Sequence, residues 1–302
     1  MSATVVVSCY NQESYIDECL QSIVQQKTDF DFDILVADDC STDGTVQRIQ
    51  SVQEIYGNKI TLIARPHNIG PSKNYINLHK QAKGDIVFHM DGDDVMLSGK
   101  LQKQYDLFRN NPMVNVAFHR AQYFSDDDSY CSDTGSPIPV DKNGLLFFDV
   151  KDLACWGTIA VHSTYAYRRA SRQFVRDDAD FMEWFFAMDS LLPEGCGVYL
   201  NEVLLRYRCN VGGNTYLSTS KGRLKAYKIY FNDIFYYFKK NPDLKKELYS
   251  NALITFCAMA KNRYFWLKPL FFFVRNVKFF RVNLLKDTIR MRRSVVPAKV
   301  IR

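Results

Sequence analysis

Phe88-His89-Met90-Asp91-Gly92-Asp93-Asp94-Val95 is the stretch on which the fold turns: three carboxylates stand within four residues, directly behind Gly84-Asp85-Ile86-Val87-Phe88. That short apolar run reads as a buried strand. In an open α/β sheet, ligands gather outside the carboxyl ends of the strands. Carboxylates crowded at such a point repel one another unless a cation lies between them, and hard oxygen donors suit Mg²⁺ or Mn²⁺. Gly92 is expected to keep the turn free of a side chain, so that Asp91 and Asp93 face one ligand. Taken alone, a D-x-D turn fits a solvated acidic loop just as well.

The residues upstream favour a site. Thr4-Val5-Val6-Val7-Ser8-Cys9-Tyr10 is too continuously apolar for a strand with one wet face, so a central parallel strand is predicted. Tyr15 to Gln25 carries Ile16, Cys19, Leu20, Ile23 and Val24 at helical spacing. Phe32 to Ala37 reads as a second strand, followed by a helix with Val46, Ile49, Val52 and Ile55 on one face. Lys59 to Ala64 reads as a third strand, and Lys73 to Ala82 as a helix leading to the strand that delivers Asp91. This alternation predicts an α/β fold with a mostly parallel, doubly wound sheet and right-handed crossovers. No G-x-G-x-x-G follows the first strand and no G-x-x-x-x-G-K-[ST] occurs, which argues against a dinucleotide-binding dehydrogenase and a P-loop enzyme.

A second carboxylate pair stands at the end of the second strand, in Asp38-Asp39-Cys40-Ser41-Thr42-Asp43-Gly44-Thr45. Helix capping accounts for Ser41, Thr42 or Asp43. It does not account for Asp38 and Asp39 together, and Asp39 is read as a ligand for a ribose hydroxyl or a base N–H. Downstream, helices are expected over Leu101–Arg109, Phe181–Leu192, Lys221–Lys239 and Lys245–Arg263. Strands are expected over Val114–His119, Thr164–Tyr167 and Val198–Tyr207.

The N-terminal third resembles the family 2 glycosyltransferases. The resemblance rests on Val7-Ser8-Cys9-Tyr10-Asn11, Cys19 to Gln26, Ile34 to Thr45, Asn68-Ile69-Gly70-Pro71-Ser72-Lys73-Asn74 and Asp91-Gly92-Asp93-Asp94, in the family's order. It implies a GT-A nucleotide-diphospho-sugar transferase fold and a nucleotide-sugar donor, with a UDP-sugar favoured. Tyr10, Asn11, Glu13, Asp39, Lys73 and Asp91 then fall to the nucleotide-sugar pocket, and Asp93 (with Asp91) to a Mn²⁺ or Mg²⁺ ion. Such a metal would stabilise the departing diphosphate. The family's inverting members take the acceptor proton with a carboxylate at a helix start beyond the metal motif. Glu183, before Trp184, matches best; Asp180 is the alternative, and Asp177, Asp178 and Asp189 lie near. Apolar neighbours would raise the carboxyl of Glu183 toward a useful range. The family's polar residue before a Gly-Gly pair is replaced here by Asn210-Val211-Gly212-Gly213-Asn214, so Arg208 or Asn214 is the candidate diphosphate contact. His162 is a candidate acceptor contact.

On this basis residues 1–215 form a GT-A catalytic domain, with 1–100 its nucleotide-binding half and 101–215 its acceptor half. Residues 216–302 form a helical C-terminal region. The net charge of +6 is uneven: from Lys261 onward there are 12 Lys and Arg against one acid, leaving 27 basic and 32 acidic residues in the body. Tyr264 to Val274 is aromatic but interrupted by Lys268 and Pro269, too short for the roughly 20 apolar residues of a bilayer span. An interfacial segment meeting an anionic membrane surface is expected, alongside a glycan or lipid-linked acceptor. The other arrangement is a docking helix on the body. The Phe-rich runs count against nucleic acid as a partner. Eight scattered cysteines without metal spacing, and no basic-then-apolar leader, give a cytoplasmic expectation at the inner face of the cell membrane.

Two rivals follow from the same residues. A sugar-nucleotide nucleotidyltransferase shares the sheet and the paired Asp, but Asn11-Gln12-Glu13 stands where its Gly-rich phosphate loop belongs. A non-catalytic, membrane-associated glycan-binding protein would not need the metal motif.

Overall fold

The computed structural model describes residues 1–126, 131–133, 139–174, 180–192, 194–209, 220–262, 264 and 266–295. The leading apolar run forms β1 (Ala3–Cys9), followed by α1 (Ile16–Val24), β2 (Phe32–Asp38), α2 (Thr45–Tyr56), β3 (Ile60–Ala64), α3 (Pro71–Gln81) and β4 (Ile86–Asp91). These elements match the predicted alternation to within a few residues at each end. The pairings β3–β2, β2–β1 and β1–β4 are all parallel. Val5, Val6 and Val7 have no exposed surface, as a strand covered by helices on both faces requires. Each such buried aliphatic side chain contributes about 1.5–3 kcal/mol of transfer free energy. Gly70, at φ 88°, turns the chain into α3, whose first residue is proline; its fixed φ and missing N–H suit a helix start.

Beyond β4 come β5 (Val95–Met96), α4 (Lys100–Asn110), β6 (Val114–Phe124), β7 (Cys131–Asp133), β8 (Leu145–Phe148), α5 (Val150–Trp156), β9 (Ala166–Arg168), α6 (Glu183–Asp189) and β10 (Cys196–Arg208). The sheet order is β3-β2-β1-β4-β9-β6-β10-β5, with β7 on β6 and β8 on β10. β9 lies antiparallel between β4 and β6, so β6, and β10 parallel to it, point the same way as β1 to β4. The ends of β1, β2, β4, β6 and β10 therefore share one edge. Helices α7 (Ser220–Lys240), α8 (Lys245–Lys261), α9 (Leu267–Arg275) and α10 (Val282–Val295) complete the described chain.

Three expectations need correction. Ile55 is 70% exposed; the buried face of α2 is Thr45, Ile49 and Val52, the positions a 3.6-residue period brings together. His162–Thr164 is a short 3₁₀ turn, closed by Thr164 Oγ1 donating to the Val161 carbonyl, and the strand starts only at Ala166. The predicted helix over Phe181–Leu192 is confined to Glu183–Asp189.

The basic tail packs on the body. Phe273 and Met291 join the large aromatic core built from α5, α6, α7 and α8. Thr288 Oγ1 donates to the Cys155 carbonyl at 2.9 Å and Trp156 Nε1 to Asp287 at 2.6 Å.

Candidate active site

Strand register brings the carboxylates together. Cys9 pairs with Asp38, and Ser8 with Asp91, so the ends of β2 and β4 flank the end of β1. Asp91 is held from several sides: Ser8 Oγ donates to Oδ1 at 3.2 Å, His89 Nε2 lies 3.1 Å from the same oxygen, and Ser163 Oγ is 3.4 Å from Oδ2. Burial works most strongly to raise the Asp91 carboxyl, but His89, His162 and Ser8 together outweigh it and the group sits well below the usual carboxylate range.

Its neighbours move the other way. Burial, then the charge of Asp91, pushes Asp93 up to about 6. Burial and the charges of Asp93 and Asp91 push Asp94 up as well. Asp94 accepts the Arg208 backbone N–H at 2.9 Å through Oδ1, while its buried Oδ2 has no partner. Two carboxyls driven toward protonation by burial and then by crowding, with an orphaned oxygen among them, are a donor set that fits a hard divalent cation. Beneath them lies Lys100, fully buried, its Nζ 2.5 Å from the Ser163 carbonyl. Burial pushes that ammonium down to about 7.

Gly92 also meets a packing requirement that the sequence does not show. A Cβ there would stand 2.4 Å from Gln12 Oε1, 2.9 Å from Ile16 Cδ1 and 3.0 Å from Cys9 Cβ. The glycine lets the acidic turn press against the start of α1.

The nucleotide-side candidates divide. Asp39 is buried, and its two oxygens accept the Ile69 and Gly70 N–H groups, each at 2.9 Å. It is no helix cap in the loop where it stands; it fastens that loop to the entry of α3. Asn11, at φ 52°, accepts from the Thr42 N–H at 2.8 Å, and Glu13 accepts from the Gly44 N–H at 2.9 Å. Both side chains thus tie the loop after β1 to the loop after β2. Tyr10 and Lys73 are exposed, with Lys73 in the first turn of α3.

On the acceptor side, Glu183 opens α6 with no capping bond there. Burial first, and then the charge of Asp91, pushes its carboxyl up to about 7. Asp180 pairs with Lys225 at 3.3 Å on an open surface. His162 stacks on His89 at 4.0 Å between ring centres, and its Nε2 is buried without a partner. Arg208, expected to meet a diphosphate, is already engaged: Nε donates to the Asp93 carbonyl at 2.7 Å, and the guanidinium pairs with Glu18 and Asp126. Asn214, Asp177 and Asp178 lie outside the described residues.

His79 and His89 escaped the sequence reading. His89 stands two residues before Asp91 on one strand, and side chains at that spacing share a face; the signal was present. The ligand atoms of His89, Asp91 and His162 lie within 4.8 Å of one another.

The model of a family described as "Glycosyl transferase family 2" matches residues 4–172. An uncharacterized protein of Mycobacterium tuberculosis is 32% identical over 204 residues, covering 65% of this chain and 58% of its own length. The chain thus spans less than two thirds of that relative. Poly(ribitol-phosphate) beta-N-acetylglucosaminyltransferase TarS of Staphylococcus aureus is 40% identical over 100 residues, which is 31% of this chain and 16% of TarS. The structure of S. aureus TarS 1-349 in complex with UDP-GlcNAc superposes with a TM-score of 0.62 at 19% identity, covering 99% of this chain and 83% of that one. Mannosyltransferase PcManGT from Pyrobaculum calidifontis, in complex with GDP-Man and Mn²⁺, gives a TM-score of 0.57 at 18% identity, covering 97% and 84%. These two structures share the fold.

Proposed function

Because this chain belongs to glycosyl transferase family 2, we propose that it transfers a sugar, with inversion, from a nucleotide-diphosphate donor to a hydroxyl of a surface polysaccharide or lipid-linked glycan. The observation that carries this reading is the gathering of Asp39, Asp91 and Asp93 on one sheet edge, with Glu183 close enough to be raised by the charge of Asp91. Residues 1–100 hold the donor and residues 101–215 face the acceptor. A UDP-sugar is the favoured donor, in keeping with the UDP-GlcNAc named for the TarS structure.

Each side chain then has a task. Asp39 spends one lone pair of each oxygen on backbone N–H groups and keeps the other for the base. Tyr10 and Lys73, both exposed at the edge, border the donor. Asn11 and Glu13 shape its loops from behind. Asp93 and Asp91 hold a divalent ion, Mn²⁺ or Mg²⁺, with Asp94 behind them; when bound, that ion neutralises charge on the departing diphosphate. Glu183 accepts the proton of the acceptor hydroxyl as that oxygen bonds to the anomeric carbon and the bond from this carbon to the diphosphate oxygen breaks.

A panel of UDP-, GDP- and dTDP-sugars with Mn²⁺ tests the donor class by thermal shift. One nucleotide series should raise Tm only when the metal is present; a hundredfold excess over Kd corresponds to about 2.7 kcal/mol of added stability. No shift with any of them would overturn the reading.

The tail supports an acceptor at a lipid surface. Phe271, Val274 and Val277 are 67%, 68% and 64% exposed on the side of α9 and its following turn away from the core. Lys268, Arg275, Lys278 and Arg281 stand exposed among them. Apolar side chains ringed by cations fit an anionic headgroup layer. Among the described residues no helix is long and apolar enough to cross a membrane. The protein should sediment with phosphatidylglycerol-containing vesicles at low salt and be released by high salt. Phe271→Asp with Val274→Asp should abolish the sedimentation while leaving Tm nearly unchanged.

A further inference from the structure

A line of buried side chains runs from the interior to Asp91. Arg172 follows β9, and its guanidinium lies 3.8 Å from the ring centres of both Tyr167 and Phe186. Its Nη1 donates to His79 Nδ1 at 2.9 Å. His79 Nε2 is 3.0 Å from His89 Nδ1, and His89 Nε2 is 3.1 Å from Asp91 Oδ1. His79 is 3% exposed and His89 is fully buried, whereas the Asp91 side chain is 33% exposed and so reaches the site.

The direction of every bond in this line follows from its first member. A guanidinium in a protein always donates. His79 Nδ1 must therefore accept, which puts the proton of the neutral ring on Nε2. That N–H donates to His89 Nδ1, which in turn places the second ring's proton on Nε2, aimed at Asp91. Among the described residues no carboxylate bonds to Arg172 directly, and burial lowers its affinity for a proton against weaker pulls from Tyr75, Tyr167 and Asp189. The hydrogen-bonded line thus joins Arg172 to Asp91 across two neutral rings. Bonds in such a line polarise one another in a low-dielectric interior.

We infer that Arg172 and His79 are positioning residues, acting through His89 as a tautomer-locked relay that aims the Asp91 carboxylate at the donor site. The role of Asp91 toward the metal rests on the function proposed above; the relay itself does not. Partners behind a metal ligand of this kind are worth about 10–100-fold in metal affinity. The relay also excludes a rival use of the same atoms. His89, Asp91 and His162 could otherwise take a zinc-class ion, but that requires His89 Nε2 to lose the proton the relay places there.

Long-range ¹H–¹⁵N spectra of the histidine-labelled full chain at neutral pH read both tautomers directly. His79 and His89 should each show the neutral Nε2–H pattern, with added Zn²⁺ leaving both unchanged. Arg172→Met should release His79 from its single tautomer and weaken Mn²⁺ binding about tenfold. His79→Leu should do the same to Mn²⁺ binding, while His79→Gln, which retains an acceptor and a donor, returns most of the affinity. An Nδ1–H or cationic form at either ring in the unaltered protein would overturn the relay, even if the variants fail to fold. Unchanged Mn²⁺ affinity in folded Arg172→Met and His79→Leu would overturn the positioning role. A wild type that binds neither Mn²⁺ nor nucleotide would instead remove the proposed function, and with it the role of the relay there, while the tautomer spectra still judge the relay.

Discussion

Glu183→Gln is expected to lower transfer about a hundredfold or more, the scale of a lost general base, while donor binding with Mn²⁺ stays near that of the wild type. The amide keeps the shape of the side chain at the start of α6 but accepts no proton. The pH dependence carries the sign. Burial pushes the Glu183 carboxyl up to about 7, so the wild type gains activity as pH rises through neutrality, and that limb should vanish in the residual activity of the variant. Stability runs oppositely. A carboxyl raised in the folded state contributes stability below its ordinary range that is lost as pH rises through about 7. The Gln variant should therefore lose less Tm than the wild type between pH 5 and pH 8. Asp180→Asn is the control, since Asp180 is already paired with Lys225. If that variant loses the hundredfold and Glu183→Gln does not, the base is Asp180.

Asp93→Ala should abolish both transfer and metal-dependent donor binding, a loss of at least about a hundredfold in rate. The same substitution removes one of three crowded carboxylates, two of which are raised by burial and by the charges of neighbouring carboxylates. Without metal the variant should therefore melt above the wild type, and with Mn²⁺ and donor it should gain nothing. This crossing of Tm values separates a lost ligand from a damaged fold. Full activity in Asp93→Ala would refute the metal assignment.

The nucleotide half was legible because its strands are continuous apolar runs cut by polar turns. The run read over Thr4–Tyr10 is the observed β1 at Ala3–Cys9, one residue off at either end. What escaped depends on contacts between distant parts of the chain. β9 slips antiparallel between β4 and β6, and no local pattern in a three-residue strand announces that. Arg208 reaches Glu18, 190 positions away, so its reading as a free phosphate contact could not anticipate its partners. Lys100 opens α4 and is buried, although a lysine at a helix start ordinarily faces solvent. The two inward histidines escape for another reason: a relay is a property of how a helix and a strand set them side by side, which neither residue announces alone.

The seating of the tail governs how its lipid role can be examined. Phe273 and Met291 belong to the same aromatic core as Trp156, Phe185 and Tyr249, and Arg292 donates to the Trp156 carbonyl and to Thr255. A chain truncated before Leu267 would uncover that core and become sticky for reasons unrelated to membranes. Its loss of activity, or its pelleting in a centrifuge, would then mimic either answer. The two surfaces of α9 are separable only one side chain at a time: the inner one is part of the protein's own hydrophobic interior, and the outer one is free to be recoded.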